Sequence, residues 1–124
     1  NIEARTMIDM ATKQIIPAVI HYTTVLAKSI NEIRAVGVYD VSVQTDLLQQ
    51  CTKYLKAAKT AMNKLKKLAD QASAMEEGRD RAVFYKDKIR PAMDELRKPV
   101  DELEMIVDKE MWPMPSYGDL IFEG

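Results

Sequence analysis

Apolar residues recur every three or four positions along most of this chain, which is the spacing of one face of an α-helix. The first stretch, about 3–35, carries Ile8, Ala11, Ile15, Val19, Tyr22, Leu26, Ile30 and Ile33. Ile16, Ile20 and Val25 widen this stripe, so we expect the first helix to pack on more than one neighbour.

Two further stretches have the heptad spacing typical of packed helices. The second, about 43–75, carries Cys51, Leu55, Ala58, Met62, Leu65, Ala69 and Ala72. The third, about 79–110, carries Ile89, Met93, Leu96, Val100, Leu103 and Val107. Gly37 favours the end of the first helix, Ser42 is expected to cap the second, and residues 76–78 form a short break before the third.

Prolines interrupt two of the three helices. Pro17 removes a backbone donor inside the first helix, so we expect a kink between Lys13 and Pro17. Pro91 and Pro99 lie two turns apart in the third helix, which is then either one bent helix or two helices divided at either proline. Residues 15–19 and 88–93 weakly resemble one another, a similarity that would allow the two bent helices to nest their kinks together.

The pattern predicts an all-α fold: an antiparallel up-down-up bundle of three long, proline-kinked helices, or four if the third breaks. The length allows a single domain, 1–124. The chain begins with Asn rather than Met, which we interpret as a cut from a larger protein.

An aromatic tail, residues 111–124, departs from the helical pattern because two prolines and a glycine forbid regular helix there. Such a tail is expected to bury its aromatic groups on the bundle or on another surface. The residues predicted to dock it are Trp112, Pro113, Pro115, Tyr117, Gly118, Asp119 and Phe122.

Composition narrows the possible partners and compartments. A formal net charge of −1 argues against a nucleic-acid binder, which would be basic overall. No apolar run is long enough to span a membrane. A single cysteine, Cys51, cannot form an internal disulfide and fits a cytoplasmic location.

Charge is segregated along the second and third helices. Residues 53–67 contain six lysines and no acid, whereas residues 94–110 contain seven acids and three basic residues. An antiparallel hairpin would bring much of the first segment beside the second. We interpret the two as complementary flanks of that hairpin, and the alternative is a patch for an anionic polymer.

Candidate catalytic residues are few. The sequence has no phosphate-binding glycine loop and no Cys/His metal spacing, so no catalytic, cofactor or metal residue is assigned. His21 lacks the Lys and Gly that usually follow a phosphotransfer histidine, and we expect it on a helix flank. Cys51 lies on the apolar stripe and is expected to be a buried, inert thiol. Glu3, Arg5 and Asp9 are expected to form ion pairs in a structural anchor.

The two ends of the chain and much of the third helix resemble the C-terminal domain of type III glutamine synthetases, a large bacterial form of that enzyme. The segments that carry the resemblance are residues 3–11, 16–19, 91–93, 101–104 and 109–122. The most specific segment is the tail, where family members often have Trp-Pro-Phe-Pro-Thr-Tyr-Gly-Asp and this chain has Met114 and Ser116 at two of those positions.

This resemblance implies a larger cytoplasmic enzyme of nitrogen metabolism that joins ammonia to glutamate with ATP and Mg or Mn. It also implies a homododecamer, in which the partners of this domain are the catalytic domain of its own chain and neighbouring subunits. The leading hypothesis is therefore a non-catalytic, structural or assembly domain, itself without a cofactor, whose tail clamps it in place. The alternative is a free-standing coiled-coil interaction module; an independent enzyme is a third class.

Overall fold

The structure is a computed structural model, and it describes residues 2–114. All regular structure in that range is helical, which confirms the predicted fold class. The elements, in chain order, are α1 (Ile2–Met10), a π-helical turn (Ala11–Ile15), α2 (Ile16–Val36), α3 (Ser42–Ala74), α4 (Arg79–Phe84), a second π-helical turn (Tyr85–Ile89) and α5 (Arg90–Ile106).

These elements form three long helices. The first helix is α1 with its π-helical turn and α2, the middle helix is α3, and the third helix is α4 with its π-helical turn and α5. No helix within residues 2–114 has the length and apolar content needed to cross a bilayer.

The three helices run antiparallel in sequence order, as predicted. Arg5, near the start of the first helix, contacts Asp70 near the end of the middle helix. Lys64, in the second half of the middle helix, contacts Glu95, in the first half of α5, as two antiparallel helices would. The middle helix therefore has a neighbour on each side and forms the centre of the bundle.

Each proline-containing helix accommodates its proline with a π-helical turn. The Ile16 amide donates to the Ala11 carbonyl, five residues back, directly before Pro17. The Arg90 amide donates to the Tyr85 carbonyl in the same way, directly before Pro91. A wider turn moves the backbone away from the carbonyl with which a proline ring would clash.

The π-helical turns decide two of the sequence-based expectations. The predicted irregularity before Pro17 is present, and the third helix continues without a break at Pro91 or Pro99, since Pro99 lies inside α5. Ala11, the first residue of one turn, is buried in the same cluster as Ile89, the last residue of the other, whereas Ile15 belongs to a second cluster. The suggested nesting of the two kinks stays a prediction.

The core consists of two clusters along the bundle. The upper cluster is Ala4, Ile8, Ala11, Ala58, Met62, Leu65, Ala69, Ala72, Ile89, Ala92, Met93 and Leu96. The lower cluster is Ile15, Val19, Leu26, Cys51, Leu103 and Val107. Alanines supply half of the middle helix's buried positions, and their small side chains permit close approach of the neighbouring helices.

The loops differ in part from expectation. Gly37 ends the first helix in an extended conformation, φ 171°, rather than in a left-handed one. Ser42 is the first residue of α3, not its cap: its amide donates instead to Asp40 Oδ1 at 2.8 Å. This hydrogen bond and one with the Ser42 side chain lower the pKa of Asp40. Gly78, at φ 145°, turns the chain into the third helix in a conformation that favours glycine.

The third helix ends at Ile106 rather than near residue 110. Val107 is extended (φ −70°, ψ 142°), and its side chain is buried in the lower cluster. The next residue, Asp108, accepts the Glu110 amide at its carboxylate and the Met111 and Trp112 amides at its carbonyl. These bonds form a turn that replaces the last helical turn predicted from sequence.

Candidate functional site

The single histidine and the single cysteine of the chain do not come together. His21 is exposed on α2, whereas Cys51 is fully buried in the lower cluster. His21 and Cys51 therefore do not form a nucleophile–base pair. Within residues 2–114, no group of three or more His, Cys, Asp or Glu side chains is placed to hold a metal ion.

Cys51 and Tyr22 meet in the lower cluster where helices one and two face each other. Burial raises the pKa of the Cys51 thiol, so the thiol stays protonated near neutral pH. Burial, chiefly, and the charges of Cys51 and Asp108 raise the pKa of Tyr22. A thiol with a raised pKa is a poor nucleophile, which fits the predicted inert role.

The N-terminal charged residues act between helices rather than within one turn. Arg5 Nη2 donates to Asp70 Oδ1 at 2.7 Å and to Ser73 Oγ at 3.3 Å. Neither Glu3 nor Asp9 forms an ion pair with a described residue. The predicted anchor is therefore present in a different form, and it joins the first helix to the end of the middle one.

The lysine-rich segment is only partly matched by the acids of the third helix. Lys64 Nζ lies 3.1 Å from Glu95 Oε2, which agrees with the predicted hairpin. No other lysine of residues 53–67 forms an ion pair with any residue among 2–114. Most of this positive charge therefore remains on the outer face of the bundle.

The described start of the tail lies against its own bundle. Met111, Trp112 and Met114 are half-buried and pack on the lower cluster, whereas Pro113 is exposed. The other predicted docking residues, Pro115, Tyr117, Gly118, Asp119 and Phe122, lie outside the described residues. The docking of the tail as a whole stays a prediction.

The heptad seam of the middle helix is already occupied inside the chain. Its positions, except the half-buried Leu55, are buried against the first and third helices, with Leu65, Ala69 and Ala72 fully inaccessible. A coiled coil with a partner through this seam would require the bundle to open. Any partner must therefore use an outer surface.

One outer surface escaped the sequence-based assignment. A groove of about 440 Å³ runs between the first and middle helices, lined by Ile16, Ile20, Thr52, Leu55, Lys56, Lys59 and Thr60. The signal in the sequence was the second apolar stripe that Ile16 and Ile20 form beside the main one. That stripe predicted another neighbour for the first helix, and no described helix covers Ile20, which is 49% exposed.

The architecture defines a class: an antiparallel three-helix bundle whose described residues form a packed core but no catalytic constellation. Comparison with known proteins narrows that class. Residues 1–34 match the model of the glutamine synthetase C-terminal domain family. The match covers the first helix, including the anchor residue Arg5 and the π-helical turn before Pro17.

Three curated relatives align with nearly the whole chain. Each is 28% identical and covers 98% of it: the glutamine synthetases of Bacteroides fragilis (strain YCH46) and Butyrivibrio fibrisolvens, and the type-3 glutamine synthetase of Dictyostelium discoideum. The chain spans only 17% or 18% of the length of these relatives. The comparisons confirm the resemblance to the C-terminal domain of glutamine synthetases, a type-3 enzyme among them.

Proposed function

We propose that this chain is a helical accessory domain at the C-terminal end of a glutamine synthetase and has a structural or assembly role without catalysis of its own. The observation that carries the proposal is the combination of an alignment over 98% of the chain with a core in which, among residues 2–114, no polar or charged side chain is buried. A polar depression lies at the turn formed by residues 75–80, and neither His21 nor Cys51 lies there.

The chemistry of the larger enzyme is assigned to the rest of its chain. Its reaction would be the ATP-dependent ligation of ammonia to glutamate, with Mg or Mn, in the cytoplasm. The carboxylates described here do not fit such a metal, since no three of them converge. The expected partners are the catalytic domain of the same chain and neighbouring subunits of a homododecamer, with no role for nucleic acid or membrane.

The tail supplies a mechanism for the structural role. Asp108 turns the chain out of the third helix, and the turn places Trp112 against the lower cluster. An aromatic side chain half-buried at the end of a bundle contributes apolar contact area at little conformational cost. The tail would in this way hold the ends of the helices together and fix the domain relative to the body of the enzyme.

Truncation after Glu110 in the full-length enzyme tests this role. We expect a lower melting temperature or a smaller oligomer, because Trp112 and its neighbours no longer cover the lower cluster. Trp112→Ala should reproduce part of the loss, whereas Pro113→Ala, at an exposed position, should not. Unchanged melting temperature and oligomer size after truncation would remove the docking role.

A non-catalytic role makes a separate prediction for the isolated 124-residue chain. Incubated with glutamate, ammonia, ATP and magnesium, it should release no phosphate above the buffer control. ATP-dependent glutamine formation by this chain alone would establish the independent enzyme instead.

The second candidate is a free-standing interaction module, which the exposed groove beside Ile20 favours over the buried heptad seam. The two candidates differ in what surrounds the chain in its natural context. If the coding region directly before Asn1 specifies glutamine synthetase active-site segments, the accessory domain is correct. A start codon at that point would favour the free-standing module.

A further inference from the structure

The groove between the first and middle helices has the form of a helix-binding site. Its floor is apolar, made by Ile16, Ile20 and Leu55, and one wall carries Lys56 and Lys59. Two antiparallel helices with an uncovered apolar valley between them are the seat that an additional amphipathic helix occupies in a larger bundle. The π-helical turn ends one residue before Ile16, so this valley begins where the first helix is locally widened.

The charge of the wall specifies the flank of the occupant. Lys56 and Lys59 are exposed, and neither forms an ion pair with a residue in the described range. Residues 53–67 contain no acid, and Glu95, which lines another depression together with Lys56, is paired with Lys64. An occupant that lays an apolar side chain on Ile20 and acids beside these lysines would be electrostatically complementary.

The last turns of the third helix have those properties, with Asp101 and Glu102 at a depression that this helix forms with the middle helix. Met105, in the last turn of α5, is 82% exposed. Asp101 and Glu102 precede it by four and three residues, so all three side chains share one helical face. Both acids are exposed, and neither pairs with a base in residues 2–114.

We propose that the groove binds the third helix of a second copy of this chain, with Met105 on the apolar floor and Asp101 and Glu102 beside Lys56 and Lys59. The groove lies between the first and middle helices, and Asp101, Glu102 and Met105 lie on the third, so each copy carries both surfaces. If each of two copies places its third helix in the other's groove, the contact forms a closed pair. If the copies associate head-to-tail, the contact propagates and closes into a ring where the rotation permits. Of the heptad positions the contact uses only the half-buried Leu55 and leaves the buried ones closed, and it does not depend on the proposed function.

A groove of this size buries little area, so the association of the isolated chain should be weak and sensitive to salt. Sedimentation velocity of the 124-residue chain should show reversible self-association that rises with concentration. Raising the ionic strength from about 0.01 M to about 1 M shortens the screening length from about 30 Å to about 3 Å and should weaken it. A chain that remains monomeric up to about 1 mM, a concentration at which weak contacts of about −4 kcal/mol still register, overturns the proposal.

Charge reversal tests which surfaces meet. We expect K56E/K59E and D101K/E102K each to weaken self-association by about tenfold or more, because like charges then face each other. In an equimolar mixture, the acidic groove of K56E/K59E meets the basic third helix of D101K/E102K. The unchanged acidic helix of the first variant likewise meets the unchanged basic groove of the second. The mixture should therefore associate although neither variant does so alone. Failure of the mixture to associate overturns the pairing.

A matched control separates this contact from general attraction between charged proteins. K66E/K67E makes the same charge change on the same helix, at residues that line a different surface depression. It should leave self-association within about twofold of wild type, because its charges lie outside the groove. An equal loss in this control would show unspecific electrostatics and would also overturn the proposal. Since every substituted side chain is exposed, far-ultraviolet circular dichroism should be unchanged in all three variants.

Discussion

Pro17 and Pro91 occupy equivalent positions relative to the two π-helical turns. Each proline stands two residues after the turn ends, at Ile15 in one helix and at Ile89 in the other. In both, the amide immediately before the proline donates to a carbonyl five residues back. The same local solution has thus been used twice, on the first and third helices.

This equivalence predicts that the π-helical turn and its proline depend on each other. Deleting the exposed Lys13 should convert the turn to regular helix without moving the buried stripe, since Ala11 and Ile15 then stand three apart. Pro17 would clash in that helix, and we expect unfolding free energy to fall by about 3 kcal/mol. Combining the deletion with Pro17→Ala should recover most of the loss in urea denaturation. If the double variant is as unstable as the deletion alone, the turn does not exist to accommodate the proline.

Leu65 lies at the centre of the upper cluster and is fully buried. Leu65→Ala should lower the free energy of unfolding by about 2–5 kcal/mol, because it removes apolar contacts and leaves a cavity among fixed neighbours. The matched control is Val38→Ala in the loop before the middle helix, where the side chain is fully exposed. That variant should stay within about 0.5 kcal/mol of wild type by the same denaturation measurement. Similar values for the two would contradict the assignment of the core.

The ion pair between Arg5 and Asp70 joins two helices, but both side chains are well exposed, at 41% and 59%. A double-mutant cycle of Arg5→Ala and Asp70→Ala should therefore give a coupling energy below about 1 kcal/mol that shrinks with added salt. The pair of Arg97 with Asp94 lies within one helix and serves as the reference. A coupling of several kcal/mol would show that the pair is shielded from solvent to an extent that the structure does not have.

The raised pKa of Cys51 makes a prediction about pH. The thiol ionises more readily in the unfolded chain, where its pKa has the ordinary value of 9.0, than in the native core. The contribution of the Cys51 thiol to the free energy of unfolding is therefore fully present below pH 9. It is lost as the pH rises from the pKa of the unfolded chain to the higher pKa of the native state. Urea denaturation at pH 8 and pH 10 should show a loss that is smaller in Cys51→Ala. Rapid labelling of native Cys51 by a thiol reagent at pH 8 would contradict its burial.

Sequence periodicity was enough to identify the three helices and most of the core. The steps of three and four from Cys51 to Ala72 depend only on helix geometry, and every one of these positions except the half-buried Leu55 is buried. Pro17 likewise revealed that the first helix is irregular. Neither feature shows which amides and carbonyls pair, so the π-helical turns were not predicted. Their hydrogen bonds depend on the packing of both flanking segments.

Two other features could not be read from local sequence. Residues 107–110 are compatible with helix, and the helix ends at Ile106 because burying Val107 in an extended conformation and turning at Asp108 satisfies the packing of the lower cluster. The partner of Arg5 was also missed. Asp70 is distant in the sequence, and only the antiparallel arrangement of the first two helices brings it within reach.

The third helix stops beside the lower cluster, whereas the first helix continues to Val36 and the middle helix begins only at Ser42. Beyond Leu26, the first helix runs on to Val36 beside the middle helix for about ten residues, or about 15 Å. Along this length the third helix, which ends at Ile106, does not accompany them. Amide protons there have fewer packed layers above them than those near Leu65. Hydrogen exchange should accordingly be slowest around the upper cluster and accelerate steadily toward the Val38 loop, so that this end of the domain opens and closes many times for each complete unfolding.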